Sequence, residues 1–298
     1  YVLRILSISL PFFLLNTILL SILNGQREIK KFISLNILLS IMSLLIVGAL
    51  SYFYGLKGAL IAYVTNQSIV LFISIVLLRN EPWLKFKNFL YKCKYAHYKK
   101  LFGFALITFT SIMAANVSII YIRGYIIDNI SEHSAGNWQA MWSLSQMSIA
   151  LITTSLATYM LPVLTRLNDI TLLNRELKST FKLILPVVLF ISFMMYYFRE
   201  LIITILYTAE FHAMKDLFFW QFVGVSIKVC GWVFGYVLVA KEMVKYSVLT
   251  EVVFALIWCT STKFLIDYYG VIGSIYAYVL VALLHLFTMF LIYKYKIH

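Results

Sequence analysis

The sequence predicts an all-α polytopic membrane protein with nine transmembrane helices. Three observations carry this. Hydrophobic residues make up 62% of the 298 positions and charged residues only 12%, a balance outside the range of soluble domains. Apolar runs of about 20 residues, the length a helix needs to cross a ~30 Å hydrocarbon core, recur along the whole chain. Lys and Arg concentrate in alternate loops between those runs, as the positive-inside rule requires.

The predicted spans are 3–23, 32–53, 58–78, 101–122, 138–161, 182–199, 217–239, 244–266 and 271–293. The first has Arg4 before it and no small-residue cleavage motif after it, so it reads as a span and not a signal peptide. The chain starts at Tyr1, and further spans are expected upstream. The sixth span is short, contains Pro186 and ends at Arg199. Pro11, Pro162 and Pro186 mark kinks or ends.

Of the 25 basic residues, 18 lie in loops 24–31, 79–100, 162–181 and 240–245, at Lys182, or at the C-terminus. Arg4, Lys57, Arg123, Arg199, Lys215, Lys228 and Lys263 are the other seven. The bias puts those loops and the C-terminus in the cytoplasm. The net charge of +13 is thereby assigned to an anionic membrane face and not to nucleic acid.

The polar stretch 79–100, RNEPWLKFKNFLYKCKYAHYKK, interleaves lysines with aromatic rings. It reads as a cytoplasmic basic linker lying on the inner leaflet. It divides the chain into 1–78, part of an N-terminal lobe with three spans, and 101–298, a C-terminal lobe with six. Residues 166–181 place Leu167, Ile170, Leu173, Leu177 and Phe181 on one helical face, predicting a short amphipathic helix on the cytoplasmic surface.

Covalent chemistry finds no foothold. The outer loops are short, and no Walker A, GxSxG or HExxH pattern occurs. Cys93, Cys230 and Cys259 have no metal-site spacing. The expectation is a non-enzyme without metal or cofactor.

The polar residues inside the spans are the candidate site. The run LFFWQFVGVSIKVCGWVFGYVLV, 217–239, carries Lys228 at its centre. An ammonium there costs at least ~2.5–3.5 kcal/mol on insertion scales. Gln221, Gly224, Lys228, Gly231 and Gly235 form a small, polar stripe at helical spacing, with Phe222, Val229, Trp232 and Val233 assigned to the opposite face. Either the stripe faces a watery cavity where Lys228 meets an anion, or Lys228 is a structural lysine paired with a carboxylate or carbonyls. Glu251, in the next span, is a candidate ion carrier. It lies ~6 Å from Lys228 in depth, so the two form either a structural ion pair or a protonation switch.

Span 138–161 presents Gln139, Ser143, Gln146, Ala150, Thr153 and Ala157 on one face. Span 101–122 presents Thr108, Ser111, Ala115 and Ser118, with Asn116 beside them. For the small residues, tight helix packing is the expected role. For Gln146 and Asn116, cavity lining stands level with packing. Arg123, seven residues after Asn116, is a further anion-site candidate. His285 reads as a buried neutral histidine with a hydrogen-bond partner. Asn16, Asn36, Asn66 and Gln67 are polar groups of the first three spans.

Seven stretches together resemble one family: LNGQREIKKFISLN (23–36), YGLKGAL (54–60), GNWQAMWSLSQM (136–147), TYMLP (158–162), LYTAEF (206–211), DLFFWQFVGVSIK (216–228) and YGVIGSIYAYVLV (269–281). They look like the O-antigen and enterobacterial-common-antigen flippases of the multidrug/oligosaccharidyl-lipid/polysaccharide exporter superfamily. The resemblance implies twelve spans in two six-helix lobes around a central cavity, of which the nine here are the fourth to twelfth. It implies translocation of an undecaprenyl-diphosphate-linked oligosaccharide from the cytoplasmic to the periplasmic leaflet by alternating access, coupled to an ion gradient. The setting it implies is the bacterial inner membrane, with membrane lipids as partners; a polysaccharide polymerase and glycosyltransferases are candidate partners that the sequence leaves open. The chain departs from the family pattern at Val225, where relatives carry an acid after the glycine.

Lys228, Arg123, Gln146, Asn116 and Gln221 are then the expected substrate-contacting residues, and Glu251 the ion-coupling one. A cation-coupled small-molecule antiporter of the same superfamily is the alternative. A drug cation wants acids in the cavity, whereas this chain offers one acid and a central lysine. A membrane-embedded polymerase would need a large outer loop or an inward His/Asp pair.

Overall fold

The computed structural model describes residues 2–26, 28–84 and 95–297. They are almost wholly helical: α1 (Val2–Gly25), α2 (Ile29–Leu78), α3 (Tyr95–Asn129), α4 (Glu132–Ser155), α5 (Leu161–Leu164), α6 (Ile170–Tyr197), α7 (Arg199–Leu206), α8 (Phe218–Ala240), α9 (Val244–Tyr269) and α10 (Val271–Lys296). The chain divides into two compact units, Tyr1–Cys93 and Lys94–His298. Among the described residues, eight helices are long and apolar enough to cross a membrane, and the protein is a multi-pass membrane protein.

The predicted spans 32–53 and 58–78 share the 50-residue α2. A straight helix of that length would reach ~75 Å, more than twice the hydrocarbon thickness. It is not straight. Gly55 sits at φ 59°, ψ −142°, a region open essentially to glycine alone. A Cβ on Gly58 would lie 1.9 Å from the Leu50 carbonyl oxygen, whereas residues eight apart in a straight helix are ~12 Å apart. The chain therefore doubles back at Gly55.

The same device joins α9 to α10. Gly270 has φ 65°, ψ −149°, and a Cβ on Gly273 would fall 2.1 Å from the Leu265 carbonyl oxygen. The two hairpins are copies, 215 positions apart (270 minus 55). At that offset Tyr54, Gly55, Gly58, Ala62, Tyr63, Val64, Leu71 and Phe72 recur as Tyr269, Gly270, Gly273, Ala277, Tyr278, Val279, Leu286 and Phe287. Helix limits keep the same register: Gly25 ends α1 and Ala240 ends α8, while Ile29 opens α2 and Val244 opens α9. Helices α1 and α2 thus repeat α8, α9 and α10.

In the first unit, α1 packs on the second half of α2 through buried polar bridges. Ser68 Oγ donates to the Ser9 carbonyl at 2.7 Å, and Ser74 Oγ to Asn16 Oδ1 at 2.9 Å. Lys31 ties the end of the hairpin to Glu81 at 2.7 Å. In the second unit, α8 runs through the apolar core, because glycines let neighbouring helices approach. Gly224 admits Tyr278 and Gly231 admits His285, each leaving only 2.6 Å for an added Cβ. The Lys100–Glu242 ion pair (2.7 Å) and the Tyr125–Asp267 hydrogen bond (2.7 Å) link α3 to the two ends of α9.

Three expectations need correction. The stretch 166–181 is not a separate surface helix: from Ile170 onward it is the start of α6, which runs on through Pro186. Nothing after Phe181 breaks helix, and Leu173 and Leu177 bury in the core of the second unit instead of in lipid. Asp169 caps α6, accepting from the backbone N–H and Oγ1 of Thr171, both at 2.7 Å. Those bonds hold its carboxyl below the usual carboxylate range. The linker 79–100 is shorter than expected, since α3 already begins at Tyr95. Its residues 85–94, with Lys85, Lys87, Lys92, Cys93 and Lys94, lie outside the described residues, as does Arg27. The span 138–161 is longer, continuing through a π-helical turn at Leu156–Met160 into α5. That turn accommodates Pro162, which has no N–H to give the preceding turn.

Gly273→Ala should lower the unfolding midpoint sharply, because the new methyl meets backbone and not a movable side chain. Gly235→Ala, where an added Cβ meets no atom within 4 Å, should be neutral or stabilising by up to ~1 kcal/mol. Thermal unfolding of both variants in detergent checks the contrast.

Candidate functional site

Two cavities open inside the second unit, walled by α3, α4, α8, α9 and α10. One, of about 260 Å³, is lined by Lys228, Gln146, Glu251, Trp142, Trp232, Trp258 and Tyr278, with Ser111, Ala114, Ala115 and Ser118 of α3 closing a side. The other, of about 280 Å³, lies toward the basic end of the helices and is lined by Gly235, Tyr236, Ser247, Thr250, His285 and Thr153. Ser111, Trp232 and Glu251 belong to both walls.

Lys228 is half-buried and is the ammonium of this site. Glu251 lines the same cavity, yet among the described residues no ion pair within 4.0 Å includes either. The two side chains share a cavity without closing a salt bridge. An anionic group entering beside Lys228 would gain charge-assisted hydrogen bonds at ordinary reach.

His285 is only 3% exposed. The histidine was expected to have a hydrogen-bond partner, but its Nδ1 has none among the described residues because it lies against Gly231, which offers no group to bond. The ring also meets Phe254 edge-on at 5.2 Å. It lines the cavity at the basic end together with Glu251. Lys228, Glu251 and His285 thus converge from three helices.

The other predicted site residues divide. Gln146 lines the Lys228 cavity. Gln221 does not: it is fully buried, donating Nε2 to Ser145 Oγ at 3.0 Å and so joining α8 to α4. Asn116 is exposed and donates to the Ile112 carbonyl of its own helix at 2.8 Å. Arg123 is exposed near the far end of α3. Neither lines the cavity.

The glycines of the α8 stripe also divide, since Gly224 and Gly231 are packing surfaces and only Gly235 reaches a cavity. Trp232, assigned to the opposite face, lines both cavities. Its spacing of four from Lys228 was the overlooked signal. On α3, Ser111, Ala115 and Ser118 wall the cavity, where tight packing was expected; on α4, Ser143, Ala150 and Ala157 are exposed. Trp142, Trp258 and Tyr278 also escaped notice. They form a ring cluster, with centroids 5.1 Å apart for Trp142–Trp258 and 5.3 Å for Trp142–Tyr278, and an aromatic at helical spacing gives no sign of what it faces.

Fold and site together define a class: a multi-pass membrane protein with the fold of the MATE transporters and a charged internal cavity. A MATE transporter crystal structure superposes with a TM-score of 0.84 over 97% of this chain and 67% of that one, at 13% identity. An outward-facing multidrug-resistance MATE family transporter of the MOP superfamily gives 0.80 over 93% of this chain and 64% of that one, at 12% identity. A MOP superfamily transporter from Pyrococcus furiosus, described as having a binding pocket of reverse polarity, gives 0.77 over 93% and 64%, at 14% identity. By sequence, the chain is 29% identical over 266 residues to proteins named lipid III flippase, from Escherichia coli (strain K12) and from Shigella flexneri. The match covers 88% of this chain and 63% of each relative's length. No family model matches the chain.

If Lys228 and Glu251 formed a dry structural pair, removing either partner would cost ~3–5 kcal/mol. Since they share a cavity without a salt bridge, Lys228→Met and Glu251→Gln should each change stability by less than ~2 kcal/mol. Gly231→Val, which drives into His285, should cost more than either. Denaturant unfolding in lipid nanodiscs orders the three.

Proposed function

We propose that this chain belongs to a flippase that carries a lipid-linked oligosaccharide across the bacterial inner membrane, from the cytoplasmic to the periplasmic leaflet, by alternating access. The carrying observation is Lys228: a lysine at the middle of a span, lining a cavity, with no salt bridge among the described residues. Its role is to meet the diphosphate or an acidic sugar of an undecaprenyl-diphosphate-linked substrate. Gln146 serves as a hydrogen-bonding group for the sugar, and Trp142 and Trp232 supply apolar walls beside it. Glu251 is the ion-coupling group, and its attraction for Lys228 competes with the substrate's anion. The likeness to lipid III flippases favours this substrate class, and the O-antigen repeat unit belongs to the same class. Nothing in the site calls for covalent chemistry.

A small-molecule antiporter is the second reading, favoured by the TM-score of 0.84 to a MATE transporter. A cationic drug would be repelled by Lys228, and among the described residues Glu251 is the one carboxylate on the two cavity walls.

In a flippase-deleted strain, full-length protein carrying Lys228→Ala should insert normally and lose at least ten-fold in leaflet transfer of the lipid-linked glycan, with partial recovery in Lys228→Arg. Full activity of Lys228→Ala would remove the lysine from the mechanism. Glu251→Gln should uncouple transfer from the ion gradient. Drug-resistance assays on the same variants test the antiporter reading.

A further inference from the structure

We infer that the second unit contains its own hydrated access route for protons: a column running from the basic end of the bundle to Glu251 and Lys228, narrowed at Trp232. The inference deepens the proposed coupling role of Glu251 and rests on that reading only for its purpose, not for its existence.

The two cavities lie in series. Gly235 is five residues from the end of α8 and Ser247 three from the start of α9, so this compartment begins within ~5–8 Å of the helix ends. That end carries Lys241, Lys245, Lys294 and Lys296. Lys228 lies twelve residues in, at a depth of ~18 Å. The shared walls at Ser111, Trp232 and Glu251 leave the compartments no more than a side chain apart. Each is large enough for several waters. The compartment at the basic end, about 280 Å³, has room for water and the ions water carries.

Its lining calls for water. Thr153, Tyr236, Ser247, Thr250, Glu251 and His285 make much of its wall polar, as a hydrated compartment requires. The charged and titratable groups facing Glu251 are Lys228 and Tyr236 of α8 and His285 and Tyr278 of α10, while α3 and α4 offer neutral Ser111, Thr153 and Gln146. One carboxylate beside an ammonium is a poor cage for a metal cation, and a proton needs only the carboxylate.

The repeat shows that the fold does not require these groups. At the 215-residue offset, Lys228, Glu251 and His285 correspond to Phe13, Asn36 and Val70 in the first unit. That unit builds the same helices and the same hairpin with no charge at any of the three places. The charges in the second unit are therefore there for work.

The test is thiol accessibility in the full-length protein with Cys93, Cys230 and Cys259 replaced by Ser. Gly235→Cys introduces a side chain into open space, since an added Cβ meets no atom within 4 Å. A positively charged, membrane-impermeant methanethiosulfonate should label it from the face that carries Lys245, at a rate within ten-fold of a Lys245→Cys control, and not from the opposite face. No labelling, or labelling from the opposite face alone, would overturn the route. Gln146→Cys should react from the Lys245 face at least ten-fold faster once Trp232→Ala is added; an unchanged rate would remove Trp232 as the neck. If Glu251→Gln abolishes transport while Gly235→Cys stays unreactive, the route falls and the coupling role stands. If Gly235→Cys reacts and Glu251→Gln transports normally, the route stands and the coupling role falls.

Discussion

A charge in the middle of a bilayer must be hydrated, paired or neutral, and Lys228 makes that constraint the organising fact of the second unit. Five helices leave room around it. The small residues of α3, Ser111, Ala114, Ala115 and Ser118, share its cavity wall with Glu251 and Gln146. On the other face of the same helix the packing is dry and close, with Val225, Val229 and Val233 fully buried. Helix α8 divides its circumference between a packed core and a wet cavity.

Two glycines on the Lys228 stripe of α8 are themselves packing surfaces. Gly224 and Gly231 accept Tyr278 and His285 of α10 at distances no other residue would allow. In lipid there is little hydrophobic drive between helices, so close van der Waals packing must hold them. By bringing α10 so near, the two glycines also set Tyr278 and His285 in the cavity walls. Packing and site are built by the same residues.

The hairpins at Gly55 and Gly270 show the fold's economy. A backbone conformation open essentially to glycine reverses the chain, and a second glycine three residues on lets the returning helix pass a carbonyl. The device is used twice in the same register, and the surrounding residues diverge in chemistry. The first unit carries a phenyl ring, an amide and an isopropyl group, at Phe13, Asn36 and Val70, where the second carries an ammonium, a carboxylate and an imidazole. A duplicated scaffold has been given charge on one side only.

Length, apolarity and charge bias determined by themselves that the chain crosses a membrane many times, because hydrocarbon thickness and the cost of charge in lipid act on any sequence alike. Helical spacing placed Lys228 and Glu251 as intramembrane charges, and they do share a cavity. The tertiary structure alone decided which polar residues meet. Gln221 and Lys228 lie on one stripe, yet α4 supplies Ser145 to absorb the first and leaves space beside the second. Asn116 is as polar as Gln146 but points away from the cavity that Gln146 lines. The reason is physical: periodicity fixes the direction of a side chain about its own axis, but not the neighbour it will find there, which depends on how close a second helix is allowed to come.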